Sequence, residues 1–164
     1  MQNDTSALVS IDMPAGPSEV LVIADRHADP AFIAADLLSQ AEHGPDSQVV
    51  LLTVAMPLSL LAEIETQLDV QARALPRVDV CRQSISKSFV VNFETIEEAM
   101  EFSNAYAPEH LILNIVDPEQ VLPSVQNAGS VFIGPYSPER YSFCLSHDLD
   151  PFVSNTSHLQ SQLR

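Results

Sequence analysis

Five short apolar runs, at residues 20–24, 49–54, 89–93, 111–116 and 131–133, constrain this chain more than any other feature. Most are continuous rather than alternating, and β-branched residues are frequent in them. Strands of that kind are expected where helices cover both faces of a sheet, as in parallel α/β folds. Helical stretches separate the runs. Asp29-Pro30 supplies an N-cap with proline at the first helical position, and Gly44-Pro45 supplies a stop, so the sequence predicts a helix over 31–43. A second helix is predicted over 57–74, with Leu58, Leu61, Ile64 and Leu68 along one face. A third covers 95–105, opened by a capping box of Thr95 and Glu98. A fourth covers 118–127, with Asp117 as its cap. The resulting order, β-α-β-α-β-α-β-α-β, predicts an α/β fold: a Rossmann-like but incomplete, mainly parallel sheet of about five strands covered by helices.

The pattern changes after Ser137. Residues 138–164 have no periodic apolar signal, are rich in Ser and contain Asp150-Pro151. The expectation is a folded lobe over 8–136 and a divergent, irregular or disordered tail over 137–164. At 46% apolar residues the lobe can fill an aliphatic core, without any Trp. The net charge of −15, with Lys87 as the single lysine, argues against nucleic acid, whose phosphates call for clustered Lys and Arg. It also argues against anionic membrane surfaces. No apolar run approaches the roughly 18 residues of a spanning helix. Residues 1–6 show no basic or apolar leader, and Cys81 and Cys144 form no CxxC, so a reducing, cytoplasmic setting is expected.

Two places carry candidate chemistry. On a wheel of about 100° per residue, Ile33, Leu37 and Ala41 line one face of the first helix, and Gln40 falls among them. His43 follows three residues later, beside Asp36. A buried amide without a partner costs roughly 1–3 kcal/mol, so Gln40 needs one. A metal held with His43 is one answer; a capped neighbouring loop and an ordinary polar helix end is the other. Glu109-His110, entering the strand at 111, offers a base and a proton shuttle, or two solvated loop residues. Ser18, in the stiff turn 15–19, has no G-x-S-x-G context, so a serine hydrolase is unsupported. Neither GxGxxG nor GxxxxGK[ST] is present. His27, His147 and His158 read as surface residues.

The residues that carry these candidates also carry a resemblance. The run from Ile11-Asp12-Met13-Pro14-Ala15-Gly16-Pro17-Ser18-Glu19 through Val20-Leu21-Val22-Ile23-Ala24, continued by Ala28 and by Ile33-Ala34-Ala35-Asp36-Leu37-Leu38-Ser39-Gln40-Ala41-Glu42-His43, resembles the signature of histidinol dehydrogenase. Ala107-Pro108-Glu109-His110-Leu111 and Asn127-Ala128-Gly129-Ser130-Val131-Phe132-Ile133-Gly134, with Ser137-Pro138-Glu139, extend it over roughly 8–139. The resemblance implies a zinc enzyme of histidine biosynthesis that oxidises L-histidinol to L-histidine through histidinaldehyde, with two hydrides passed to NAD. It further implies a homodimer of incomplete Rossmann-like lobes, in some organisms part of a multifunctional chain. By resemblance Gln40 and His43 are zinc ligands that also touch substrate. Ser18 and His110 bind substrate, Glu109 activates water for attack on the aldehyde, and His110 is the acid/base of the hydride steps. No NAD-contacting residue is assigned.

The family pattern continues after Ser-Pro-Glu with G-D-Y-A-S-G-T-N-H, whose Asp is a zinc ligand. Here Arg140-Tyr141-Ser142-Phe143-Cys144 follows instead, and a further His ligand has no counterpart. Two metal ligands where sites normally have at least three predict weak zinc binding and little activity alone. The expectation is therefore a truncated or alternatively spliced form, with residues 140–164 read through non-family sequence. The rivals are a non-catalytic α/β module that associates with a full-length subunit, and a poorly folded fragment with exposed apolar faces.

Overall fold

The computed structural model describes residues 18–134 and the backbone of Ser142–Phe143. The turn before Ser18, the rest of the tail, His147 and His158 lie outside the described residues. The order is β1 (Glu19–Asp25), α1 (Pro30–Ala41), β2 (Gln48–Val54), α2 (Leu58–Ala74), α3 (Val78–Ile85), β3 (Phe89–Phe93), α4 (Ile96–Tyr106), β4 (His110–Asn114), α5 (Pro118–Val121), a 3-10 turn (Leu122–Ser124), β5 (Ser130–Ile133) and β6 (Ser142–Phe143). The strands form one sheet in the order β3-β2-β1-β4-β5-β6. β1 to β5 run parallel and β6 pairs antiparallel with β5. The expected parallel α/β sheet is therefore observed. The two-residue β6 lies inside the stretch expected to be irregular.

Alternation within each strand divides the core. Val20, Val22 and Ala24 of β1, with Val49, Leu51 and Ile112, pack under α1, α2 and α3. Leu21, Ile23, Val50, Leu52, Leu111, Leu113 and Val131 point the other way, under α4 and the α5 region. Successive side chains in a strand face opposite sides, so burial on both is what makes β1, β2 and β4 read as unbroken apolar runs, whereas β3 at the sheet edge leaves Phe89 and Val90 exposed. The chain steps from β1 to β2 to β3 on one face, then crosses back beneath α4 to β4 on the other. That reversal places the sheet's switch point between β1 and β4.

Local chemistry sets most boundaries. The Asp29 carboxylate accepts from the Ala31 amide at the start of α1. Thr95 and Glu98 form the expected capping box of α4. Four expectations need correction. Helix α1 ends at Ala41, not His43, because the turn into Gly44-Pro45 unwinds it early. The helix expected over 118–127 is a single turn followed by a 3-10 turn: Pro123 has no amide hydrogen to continue the ladder. Asp117 does not cap it through its side chain; it sits at φ 54° and turns the backbone instead. Leu58 is 81% exposed rather than on the packed face of α2. Helix α3 was not anticipated. Val78, Cys81 and Ile85 do repeat with helical spacing and pack into the core, but over eight residues the signal is short.

Candidate functional site

Of the five residues singled out in the sequence, Gln40 lies on α1, His43 in the turn that ends it, Glu109 directly before β4 and His110 at its first position. The fifth, Ser18, directly precedes β1. In register, Glu19 pairs with Gln48 and Val20 with His110, so the N-terminal ends of β1, β2 and β4 form one edge. Helix α1 runs back along the sheet, and only residues 42–47 separate its end from β2. Gln40 and His43 therefore return to the edge that carries Ser18, Glu109 and His110. Ligands of open parallel sheets usually sit at the opposite, C-terminal edge.

The contacts at this edge are dense. Ser18 Oγ donates to Glu109 Oε2 at 2.9 Å, and the Glu19 amide donates to the same oxygen at 3.3 Å. The Glu109 amide returns a bond to Glu19 Oε1 at 3.3 Å. His110 Nδ1 lies 3.1 Å from the Glu19 carbonyl oxygen. A carbonyl can only accept, so Nδ1 carries the hydrogen and Nε2 of the neutral ring keeps its lone pair. At 3.9 Å from Glu109 Oε2, Nδ1 is too far for a hydrogen bond to that carboxylate. The imidazole also tilts against Phe132, with ring centroids 6.0 Å apart.

Backbone geometry delivers the pair. Ala107 closes α4 in the left-handed region at φ 56° and turns the chain into Pro108-Glu109. From below, Gly129 donates its amide to the Pro108 oxygen at 3.0 Å and Ser130 donates to the Glu109 oxygen at 2.8 Å. A side chain on Gly129 would meet that Glu109 oxygen at 2.7 Å, so close packing demands glycine here.

At the end of α1, Gln40 is 6% exposed, and its Nε2 is buried with no hydrogen-bond partner. The nitrogen of the amide that reads as out of place on an apolar stripe thus has no partner among the described residues. Rotation about its last torsion exchanges oxygen and nitrogen, so it can offer an acceptor to a ligand. His43 is exposed, and its amide donates to the Gln40 oxygen at 3.1 Å. No hydrogen bond between described residues joins the Gln40 or His43 side chains to Ser18, Glu109 or His110. Asp36, one turn before Gln40, has its carboxyl pushed up from 3.8 to about 6 by burial.

A metal test gives a divided result. The orphaned Gln40 amide and the exposed His43 imidazole are suitable donors, but among the described residues no cluster of three or more His, Cys, Asp or Glu could hold a metal. Two donors fall short of the three or four protein ligands that zinc sites normally have. Cavity size does not locate the edge either: the space of about 590 Å³ beside α4, lined by Glu97, Asn104 and Gln126, contains none of these residues.

Sequence reasoning missed Glu19 and Tyr106. The Tyr106 hydroxyl sits 3.0 Å from Glu19 Oε2 and 2.9 Å from Gln48 Oε1. Burial, then the bond to Glu19, pushes its pKa up to about 12, so it remains a donor. Glu19 had one available signal, its place beside Ser18 in the motif. Tyr106 had none, because its ring stacks on Phe102 like any apolar residue of α4.

A sequence model of the histidinol dehydrogenase family matches residues 2–145, beyond the Glu139 at which the quoted motifs end. The chain is 56% identical over 155 residues to a histidine biosynthesis trifunctional protein of Neurospora crassa, covering 93% of this chain and 18% of that protein. It is 53% identical over 159 residues to a chloroplastic histidinol dehydrogenase of Arabidopsis thaliana, covering 97% and 32%. A crystal structure of histidinol dehydrogenase from Elizabethkingia anophelis superposes with a TM-score of 0.73 at 52% identity, over 79% of this chain and 29% of that one. The chain thus spans a third or less of the length of these relatives. It belongs to the histidinol dehydrogenase family.

Proposed function

We propose that this lobe contributes its edge of β1, β4 and α1 to the NAD-dependent oxidation of L-histidinol to L-histidine through histidinaldehyde, with zinc as the metal. The observation that carries the proposal is the convergence of Ser18, Glu109 and His110 on the sheet edge to which α1 returns Gln40 and His43. In this reading His110, held by Nδ1, takes and returns protons at Nε2 during the hydride steps. Glu109, exposed and oriented by Ser18 and the Glu19 amide, removes a proton from the water that adds to the aldehyde. Ser18 spends its hydrogen on Glu109 and keeps lone pairs for a substrate N–H. Gln40 and His43 would hold the metal. Bound zinc would fix the substrate's imidazole and amine, and NAD would accept the hydride.

The same reading assigns residues 8–136 to the lobe and 137–164 to a divergent tail. It places the protein as a homodimer in the cytoplasm, without nucleic-acid or membrane partners. Among the described residues no helix is long and apolar enough to cross a membrane. Because the described residues hold only half of a donor set, the lobe turns over little substrate alone. It acts with further chain of the family's kind, or as a non-catalytic module beside a full-length subunit.

Amide NMR during titration with L-histidinol and zinc tests the proposal, alongside NADH formation. The expected result is perturbation of Ser18, His43 and His110, lost in His43→Ala together with bound zinc. Binding that leaves these amides unmoved, or equal zinc in wild type and His43→Ala, would sink the site assignment. Robust NADH production by the chain alone would overturn the half-site.

A further inference from the structure

We propose that Glu19 and Tyr106 are positioning residues, a clamp that holds the Glu109–His110 dipeptide in one orientation and His110 in one tautomer. The proposal rests on the reading that Glu109 and His110 are the acid–base pair.

Glu19 touches both residues by three routes. Its amide donates to the Glu109 carboxylate, its own carboxylate accepts from the Glu109 amide, and its carbonyl accepts from His110 Nδ1. A carbonyl oxygen has two lone pairs, so it accepts from Nδ1 beside any bond it makes in the β1–β4 ladder. The reciprocal bonds between Glu19 and Glu109 tie the loop after α4 to the head of β1. Tyr106 then fixes the Glu19 carboxylate from the far side. Its hydroxyl has one hydrogen and two acceptors, Glu19 Oε2 and Gln48 Oε1, and the charged acceptor makes the stronger bond. Stacking on Phe102 holds the phenol ring. Glu19 thus ties β1 to the Glu109–His110 dipeptide, and Tyr106 ties it to α4 and β2.

The chemical consequence is specific. A neutral imidazole whose Nδ1 is tied to a carbonyl presents Nε2 as a base, and a ring released from that tie is free to present either nitrogen. Tyr106 acts on His110 only through Glu19 and the Glu109 peptide. Tyr106→Phe removes one oxygen and leaves the ring in its stack.

Ring nitrogen NMR of the folded 164-residue protein, above the pH of ring protonation, reads the tautomer directly. Wild type is expected to show His110 as the Nδ1–H form. Tyr106→Phe and Glu19→Ala are expected to lose that dominance and gain the Nε2–H form. Glu19→Gln keeps an oxygen for the Glu109 amide and is expected to restore the wild-type pattern. Should Glu19→Ala fail to fold, Tyr106→Phe still decides. A wild-type ring in the Nε2–H form, or variants with unchanged tautomer, would overturn the clamp. Loss of melting temperature without a tautomer change would make the two residues merely structural. A clamped ring that ignores L-histidinol and zinc would overturn the functional reading and leave the clamp intact. A ring that answers both while the variants keep its tautomer would do the reverse.

Discussion

Gly129→Ala isolates the packing that seats Glu109. The new Cβ would stand 2.7 Å from the Glu109 carbonyl oxygen and 3.5 Å from its carbonyl carbon and Cα. Carbon–oxygen contacts settle near roughly 3.3 Å, so the two backbones must part by about half an ångström. Both are main chain, and no flexible side chain can give way. The Gly129 and Ser130 amide bonds to the 108–109 segment, at 3.0 and 2.8 Å, would stretch with them. Overpacking of this kind costs about 1–3 kcal/mol. For a chain of this size that is a fall in Tm of roughly 3–10 °C. Gly129 is outside the left-handed region, so torsional strain contributes nothing to the loss. Gly44→Ala is the internal control, because its new Cβ would meet only Ser47 Oγ at 3.9 Å. There the same chemical change should be neutral or stabilising by about 0.4–1 kcal/mol, through the unfolded chain. Thermal melts followed by circular dichroism compare the two, and the amide shifts of Glu19 and Glu109 report the seat itself. If Gly129→Ala melts with wild type and leaves those amides in place, the close approach does not position Glu109 and the reasoning is wrong.

Asp36→Asn should stabilise the fold in a pH-dependent way. Burial raises the folded carboxyl from 3.8 to about 6, so the folded state keeps its proton after the unfolded chain has lost it. Stability then falls as pH climbs through that window. The variant should match wild type below pH 3.8 and gain about 1–2 kcal/mol above 6, after discounting for partial solvent exposure, as urea melts at several pH values would show. Gln40→Met removes the unpartnered amide and should stabilise the metal-free fold by about 1–3 kcal/mol while lowering zinc retention; a loss of stability would mean that Gln40 serves the fold. Thr95→Ala removes half of the α4 capping box and should cost about 1 kcal/mol in denaturant melts, with unchanged NMR signals at Ser18 and His43.

Much of the fold was legible because its signals are local. Continuous β-branched runs mark strands buried on both sides, and Asp29-Pro30 and Thr95-x-x-Glu98 mark helix starts with a defined hydrogen bond. The errors were also local, but came from competing signals. Pro123 shortened α5, and the eight residues of α3 carry too little periodicity to stand out between longer helices. Gln40 was legible as a polar misfit, and Ser18, Glu109 and His110 through their motifs.

The sequence by itself determined the five parallel strands, the three long helices α1, α2 and α4, and the family they belong to, since period, caps and motifs are properties of neighbours along the chain. It also marked the separate residues with chemical potential. Only the tertiary structure decided that they share an edge, because residues 18 and 109 meet through the parallel pairing of β1 with β4, and α1 brings Gln40 and His43 back by its length and direction. The Glu19–Tyr106 clamp belongs wholly to that level. Each of its bonds joins residues far apart in sequence, and no local pattern encodes a hydrogen bond across 87 or 91 positions.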